Sequence, residues 1–188
     1  GAGICVRFPD TIIVPLREGQ LVDIAGALHY NDPPYSEELV VRAEEIRVVG
    51  QALTIVAFGS AGRGTGGGVF GQQPGVYDDI VARPPTASCG LNDVGMLVKT
   101  WGRAFAETAV SGYAWLQDGS ALHDGHVPGV RVDLRPIGSI WPFPAKSYCS
   151  VTGVMRCFVV EPGGYNVRVI WPRRISDLAR YPEGITPD

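Results

Sequence analysis

One stretch of the sequence decides the fold: Tyr148-Cys149-Ser150-Val151-Thr152-Gly153-Val154-Met155. Its apolar residues recur at every second position, which is the period of a β-strand with one buried face. The same pattern, with glycine again in sixth place, occurs 127 residues earlier in Leu21-Val22-Asp23-Ile24-Ala25-Gly26-Ala27-Leu28. Two such segments indicate an internal repeat.

Further pieces of the chain correspond in the same order. The matching ranges are 3–7 with 129–133, at an offset of 126, and 40–42 with 169–171, at an offset of 129. We also align Ile46 with Ile175 at this last offset. Because the offset changes only across predicted loops, every piece keeps its alternation in phase, as a barrel wall requires.

The two copies of the repeat are unequal. Two strand patterns, at residues 96–105 and 112–116, precede the second copy, whereas the first copy begins at residue 3. Helical periodicity is almost absent, and the Leu-Val-Val run within residues 37–47 favours a strand there as well. We therefore predict the last three strands of one five-stranded unit, a linker and one whole unit.

Four motifs of the second copy carry a family resemblance. They are Trp101-Gly102-Arg103 at the end of an apolar strand, Trp115-Leu116-Gln117-Asp118-Gly119-Ser120, Gly129-Val130-Arg131-Val132 and Val151-Thr152-Gly153. In this order they resemble the tandem OB-fold modules of bacterial secreted or surface proteins, with departures at Gln117, Ala121 and the cysteines. The resemblance covers about residues 88–178 and part of 3–50. It implies a small β-barrel and an exported setting, and it implies no reaction.

The predicted fold class is therefore all-β, with one complete five-stranded OB-like barrel preceded by a partial OB-like β unit. The predicted boundaries are 1–58 for the partial unit, 59–88 for a Gly/Pro-rich linker, 89–178 for the complete barrel and 179–188 for a C-terminal tail. The remaining strands are predicted at residues 4–8, 21–28, 39–43, 46–49, 52–58, 130–134, 148–160 and 166–171.

Several residues are given scaffold roles. Residues 59–75 hold eight glycines, and we expect this linker to pack on neither unit, because glycine loses the most entropy on ordering. Asp118-Gly119-Ser120 is predicted as a turn. Gly102 and Gly153 are expected where a small barrel bends or packs closely. Trp101 is expected to fill the barrel.

Charge and length exclude several classes of protein. The net charge is −3, with about −4 in residues 1–91 and about +1 in residues 92–188, and neither half has a basic stripe. This pattern argues against a nucleic-acid partner. No apolar run approaches the roughly 20 residues of a membrane helix, so no membrane span is expected.

The four cysteines are Cys5, Cys89, Cys149 and Cys157. In a Gly/Pro-rich β chain with few lysines, an even number of cysteines predicts export and disulfides, in an extracellular or cell-surface setting. Unpaired small core residues are the alternative. Cys149 and Cys157 lie about 26 Å apart on one strand, which disfavours their pairing. We therefore predict that Cys5 and Cys89 pair with Cys149 and Cys157, in either order.

We find no constellation that predicts an enzyme, a cofactor or a metal site. His123-Asp124-Gly125-His126, with Asp118 nearby, could supply two imidazoles and carboxylates. Because the cluster lies in a glycine-containing loop that does not fix a third ligand, it is interpreted as a solvated turn. Glu37-Glu38 and Glu44-Glu45 are interpreted as solvated charges that protect sheet edges, since no cleft holds them as an acid and base pair.

A ligand face is the one binding hypothesis. The usual ligand face of an OB barrel would present Tyr113, Trp115 and Arg131, which could stack on bases or sugars. Strand alternation puts Tyr113 and Trp115 on the same side, so Trp115 could instead belong to the core.

The favoured function is a non-catalytic extracellular or cell-surface structural module that associates with itself into an oligomer or a filament. The incomplete first unit is the reason, because open sheet edges and an apolar interior pair with other chains unless they are covered. The rival explanation of the incomplete unit is that the chain is a fragment of a longer tandem array whose preceding strands are missing. The expected contact residues are Ile4, Val6, Ile24 and Val41. A carbohydrate- or single-strand-binding OB module is the alternative function.

Overall fold

A computed structural model describes residues 3–9, 14–33, 37–51, 54–78, 85–105, 112–124, 127–160 and 164–182. Within these ranges the chain is all-β and contains no α-helix. This part of the chain also holds no helix of the length and apolarity that crossing a membrane would take.

The strands fall close to their predicted positions. They are β1 (Cys5–Arg7), β2 (Gln20–Tyr30), β3 (Leu39–Gln51), β4 (Phe58–Gly59), β5 (Tyr77–Asp78), β6 (Thr86–Ala87), β7 (Leu97–Phe105), β8 (Tyr113–Gln117), β9 (His123–Asp124), β10 (Val127–Pro128), β11 (Val130–Asp133), β12 (Tyr148–Val160), β13 (Tyr165–Trp171) and β14 (Leu178–Arg180). Short 3₁₀ turns lie at Gly62–Gly64, Arg135–Ile137 and Ile175–Asp177. The strand predicted over residues 52–58 is wrong for residues 54–57, which have no regular structure.

Five strands form a closed ring. β7, β8, β11, β13 and β12 pair in this order, and β12 pairs back to β7. Within the ring only β11 and β13 run parallel. The largest apolar cluster fills it, and its fully buried members include Val98, Leu116, Val130, Val132, Val151, Met155 and Ile170.

Glycine permits the close strand contacts of the ring, as predicted. A Cβ atom on Gly102 would lie 2.6 Å from the carbonyl oxygen of Gln117, and one on Gly153 would lie 2.6 Å from that of Trp171. Any side chain at either position would therefore push two strands apart. The predicted turn is also confirmed, because Gly119 has φ +87° and the Ser120 amide donates to Asp118.

Trp101 does not fill the barrel, so that prediction is wrong. Its neighbours Thr100 and Gly102 on β7 are buried, whereas Trp101 is 37% exposed. Side chains alternate along a strand, and the inward positions of β7 belong to the even-numbered residues. Trp101 therefore lies on the outer surface of the ring.

The small sheet repeats part of the ring. In the order β1-β3-β2, the first pair is parallel and the second antiparallel, as in β11-β13-β12. The pairing of Val6 with Val41 corresponds to that of Val132 with Ile170 at the predicted offsets of 126 and 129. The matched ranges 3–7, 21–28 and 40–42 thus pair in the same register as their counterparts in the ring.

The alignment of Ile46 needs a correction. Ile46 pairs with Ile24, and Ile24 corresponds to Val151, which pairs with Leu178. The counterpart of Ile46 is therefore Leu178, not Ile175. β3 continues without a break to Gln51, whereas Pro172 and a 3₁₀ turn separate β13 from β14.

The glycine-rich segment packs against the ring, so the prediction of an unpacked linker is wrong. The amide of Gly62 donates to Asp118 at 2.6 Å, and the guanidinium of Arg168 donates to the carbonyl of Thr65 at 2.7 Å. At Gly67 φ is +61°, and a Cβ atom would lie 1.8 Å from a neighbouring carbonyl oxygen. These glycines serve close backbone contact, which the sequence pattern does not distinguish from flexibility.

Candidate functional site

The small sheet has one apolar face. Cross-strand partners point to the same side of a sheet, and the register places Ile24 opposite Ile46 and Leu28 opposite Val41. Val6 pairs with Val41 from the other edge of β3. Six side chains form this surface, which we call the open face: Ile4, Val6, Ile24, Leu28, Val41 and Ile46.

The open face corresponds to the interior of the ring. Under the offsets of the repeat, Ile4, Ile24 and Leu28 match Val130, Val151 and Met155. All three counterparts are fully buried, whereas Leu28 is 57%, Ile4 46% and Ile24 37% exposed. Equivalent apolar side chains are therefore buried in the ring and partly exposed in the small sheet.

The opposite face of the small sheet is mainly polar, although Val40 on this face is fully buried. Arg47 and Asp23 lie across from each other and form an ion pair at 3.0 Å. Arg7 and Arg42 both contact Asp32, which follows the end of β2. The β2–β3 ribbon is thus amphipathic, and its polar face suits contact with water.

One edge of β2 is also unpaired within the described ranges. β2 pairs with β3 along its whole length. Its counterpart β12 has a second neighbour, because residues 148–154 of β12 pair with β7. Residues 148–154 correspond to residues 21–27, so the open edge of β2 lies where β7 would stand.

A buried ion pair fixes the small sheet to the ring. Arg156 donates to both oxygens of Glu38, at 2.7 to 3.2 Å, and both side chains are almost fully buried. The Arg156 guanidinium also lies 4.1 Å from the ring centroid of Trp171. The expectation that Glu38 is solvated is therefore wrong, whereas Glu44 and Glu45 are exposed as expected.

A cavity of about 440 Å³ opens beside the open face. Ile4, Leu28 and Leu39 form one wall, and the glycine-rich segment around Phe70 forms the other. Cys5 also lines it, and burial, together with the nearby Glu38 carboxylate, raises the pKa of the Cys5 thiol. The glycine-rich segment of the same chain therefore already lies over part of the open face.

The structure brings the three predicted ligand residues together, but they contact one another. The Arg131 guanidinium lies 5.2 Å from the Tyr113 ring centroid and 5.8 Å from that of Trp115. Asp124 accepts from Arg131 at 2.5 Å and from the Trp115 indole N–H at 2.9 Å. Trp115 is only 8% exposed. The side chains of this cluster thus contact mainly one another and Asp124.

The histidine loop departs from the sequence interpretation. His123 and Asp124 form β9, and Asp124 is buried rather than solvated. Burial raises the pKa of Asp124, and the Arg131 guanidinium opposes that rise. Gly125 and His126 lie outside the described residues. Among the residues that are described, no group of three acidic, histidine or cysteine side chains could hold a metal ion.

All four cysteines are free thiols, which contradicts the predicted disulfides. Cys149 packs in the ring core, whereas Cys157 packs with Val76 and Val94 in a separate apolar cluster. Burial raises the pKa of Cys149 to about 11 and that of Cys157 to about 12. Both behave as small apolar core residues, the alternative that the sequence left open.

Comparison with known proteins gives no match to this chain among family models, curated proteins or solved structures. The functional proposal rests on the open face and on the open edge of β2.

Proposed function

We propose that this chain is a non-catalytic structural β-module, extracellular or on a cell surface, that associates with itself into an oligomer or a filament. A second copy covers the open face. The observation that carries this proposal is the contrast between Leu28, 57% exposed, and its counterpart Met155, which is fully buried in the ring.

The energetic argument rests on the apolar side chains of the open face. Covering one such side chain contributes about 1.5 to 3 kcal/mol when it is fully buried. Ile4, Ile24 and Leu28 are neighbours on one surface, and contiguous apolar patches mark contact sites. The unpaired edge of β2 adds backbone groups that another strand can satisfy.

The fold-level part of the proposal is that the ring is an OB-type barrel and the small sheet is part of a second one. An OB barrel has five strands in a Greek-key order. Support comes from the number of strands in the ring and from the correspondence of β1-β3-β2 with β11-β13-β12. Beside the small sheet, strands of a second copy would take the places that β7 and β8 hold in the ring.

The alternative, an OB module that binds carbohydrate or single-stranded nucleic acid through Tyr113, Trp115 and Arg131, has less support. Asp124 already engages the indole of Trp115 and the guanidinium of Arg131. A ligand would have to displace these contacts. The extracellular or cell-surface setting rests on composition and on the family resemblance.

Sedimentation velocity over a range of concentrations tests the proposal. The unmutated chain should form species larger than a monomer, and Ile24→Asp should abolish them, because an unpaired charge is costly in an apolar interface. Ala27→Asp is the matched control, since Ala27 is exposed on the polar face of the same strand, opposite Arg42. Its assembly should equal that of the parent.

Two results would contradict the proposal. One is a parent chain that stays monomeric at every concentration. The other is an Ile24→Asp variant that assembles as the parent does. Circular dichroism melting should show that both variants keep the folded ring, because neither substituted side chain belongs to its core.

A further inference from the structure

An exposed apolar segment follows β3 directly. Residues 52–58 read Ala-Leu-Thr-Ile-Val-Ala-Phe, without charge or proline. In the described part of this segment, Ile55 is 64%, Val56 85% and Phe58 44% exposed. Of residues 54–58, only Phe58 belongs to a strand, the short β4 that pairs with β7.

This exposure is unusual for such a sequence. A run of seven uncharged residues rich in β-branched and apolar side chains has a strong tendency to pair as a strand. In its own chain, the segment leads from the end of β3 to β4, and Ile55 and Val56 contact little protein there. Among the described residues, the chain thus presents both an exposed apolar segment that pairs with no strand at residues 54–57 and an edge of β2 that has no neighbour.

We infer that residues 54–58 of one copy add as a strand to the open edge of β2 in another copy. This inference rests on the proposed self-association and names the segment that performs it. The same pairing occurs within the ring, where β7 pairs with residues 148–154 of β12. These residues correspond to residues 21–27 of β2. Strand addition of this kind gives main-chain hydrogen bonds as well as apolar contact.

Length and charge are compatible with this pairing. The five residues 54–58 span about 17 Å when extended, so they can pair with most of the seven-residue edge 21–27. Asp23 is the one charged residue of that edge, and its carboxylate pairs with Arg47 on the polar face. The uncharged segment can therefore pair with the edge of β2 on its apolar side without facing an unpaired charge.

The contact is head-to-tail. The segment of one copy and the β2 edge of the next are different surfaces, so each copy can bind two neighbours. Such heterologous contacts build rings or open filaments, whereas a self-complementary contact between two β2 edges would stop at a dimer.

A mixing experiment tests the inference. The face variant is Ile24→Asp, and the segment variant is the double substitution Ile55→Asp with Val56→Asp. Because neighbouring side chains of a strand point to opposite faces, one of the two charges lies on the apolar side whichever way the strand is turned. The matched control is Ile140→Asp with Ile175→Asp, two apolar side chains at 68% and 55% exposure that lie outside the small sheet and the glycine-rich segment. Sedimentation velocity is measured for each protein alone and for the two test variants mixed in equal amounts.

Each test variant alone should assemble at least about a hundred-fold more weakly than the parent, and the control should equal the parent. The mixture should form a 1:1 heterodimer that grows no further, because only one intact face and one intact segment remain. If the segment variant assembles like the parent, or if the mixture stays monomeric, the inference is wrong while the proposed function stands. A monomeric parent would overturn both.

Discussion

The buried pair of Glu38 and Arg156 provides a quantitative test of how the small sheet is held. Replacing Glu38 by leucine removes the carboxylate that accepts hydrogen bonds from the buried guanidinium of Arg156. Because the side chains are only 1% and 5% exposed, and the pair is bidentate, the cost should be about 3 to 5 kcal/mol of unfolding free energy. For a chain of this length, that loss lowers the melting temperature by roughly 10 °C.

Urea unfolding, followed by circular dichroism, measures this loss. The double variant Glu38→Leu with Arg156→Met removes both charges together and should return to within about 2 kcal/mol of the parent. The exposed pair of Asp23 and Arg47 supplies the control, since Asp23→Ala should cost less than about 1 kcal/mol. A loss below about 1 kcal/mol for Glu38→Leu, or a double variant no more stable than the single one, would refute the reasoning.

Three further predictions concern the glycine-rich segment and two buried titratable groups. Gly67→Ala should cost more than about 2 kcal/mol in urea unfolding, because its Cβ would overlap backbone, whereas Gly71→Ala, with similar φ in open space, should cost only about 1 kcal/mol. Burial raises the pKa of Asp93 from 3.8 to about 6. The folded chain then keeps a proton that the unfolded chain releases, so the melting temperature should fall as pH rises across that interval, and Asp93→Asn should remove the fall. Exposed Cys89 should react with a thiol reagent at about pH 8, whereas Cys157, whose pKa burial raises to about 12, should react only after unfolding.

The sequence was most informative where a repeat constrained it. Two copies of one pattern predicted the all-β class, the bounds of β12 and the correspondence of residues 3–7 with 129–133, which lie in the equivalent strands β1 and β11. They also placed Ile4 and Ile24, two of the expected contact residues, on one face. Alternation with a period of two carries this information because it directly reports which side chains share a surface.

The wrong predictions concern residues whose surroundings are set by contacts with distant parts of the chain. Glycines such as Gly67 look flexible in sequence but serve close backbone approach. Glu38 looks solvated beside Glu37, yet Arg156, 118 residues away, buries it. Trp101 looks like a core residue until the register of β7 is known. None of these contacts leaves a local pattern, because each partner lies far away in the chain.

Amide hydrogen exchange along β2 is the most direct test of the central claim that a second copy covers the open face and edge of the small sheet. The amides of residues 21–27 that point away from β3 exchange freely unless another strand accepts their hydrogen bonds. The account predicts that these amides are protected at high protein concentration and lose protection on dilution. The Ala27→Asp control should behave in the same way, and Ile24→Asp should be unprotected throughout. Fast exchange that does not change with concentration in the unmutated chain would contradict the claim.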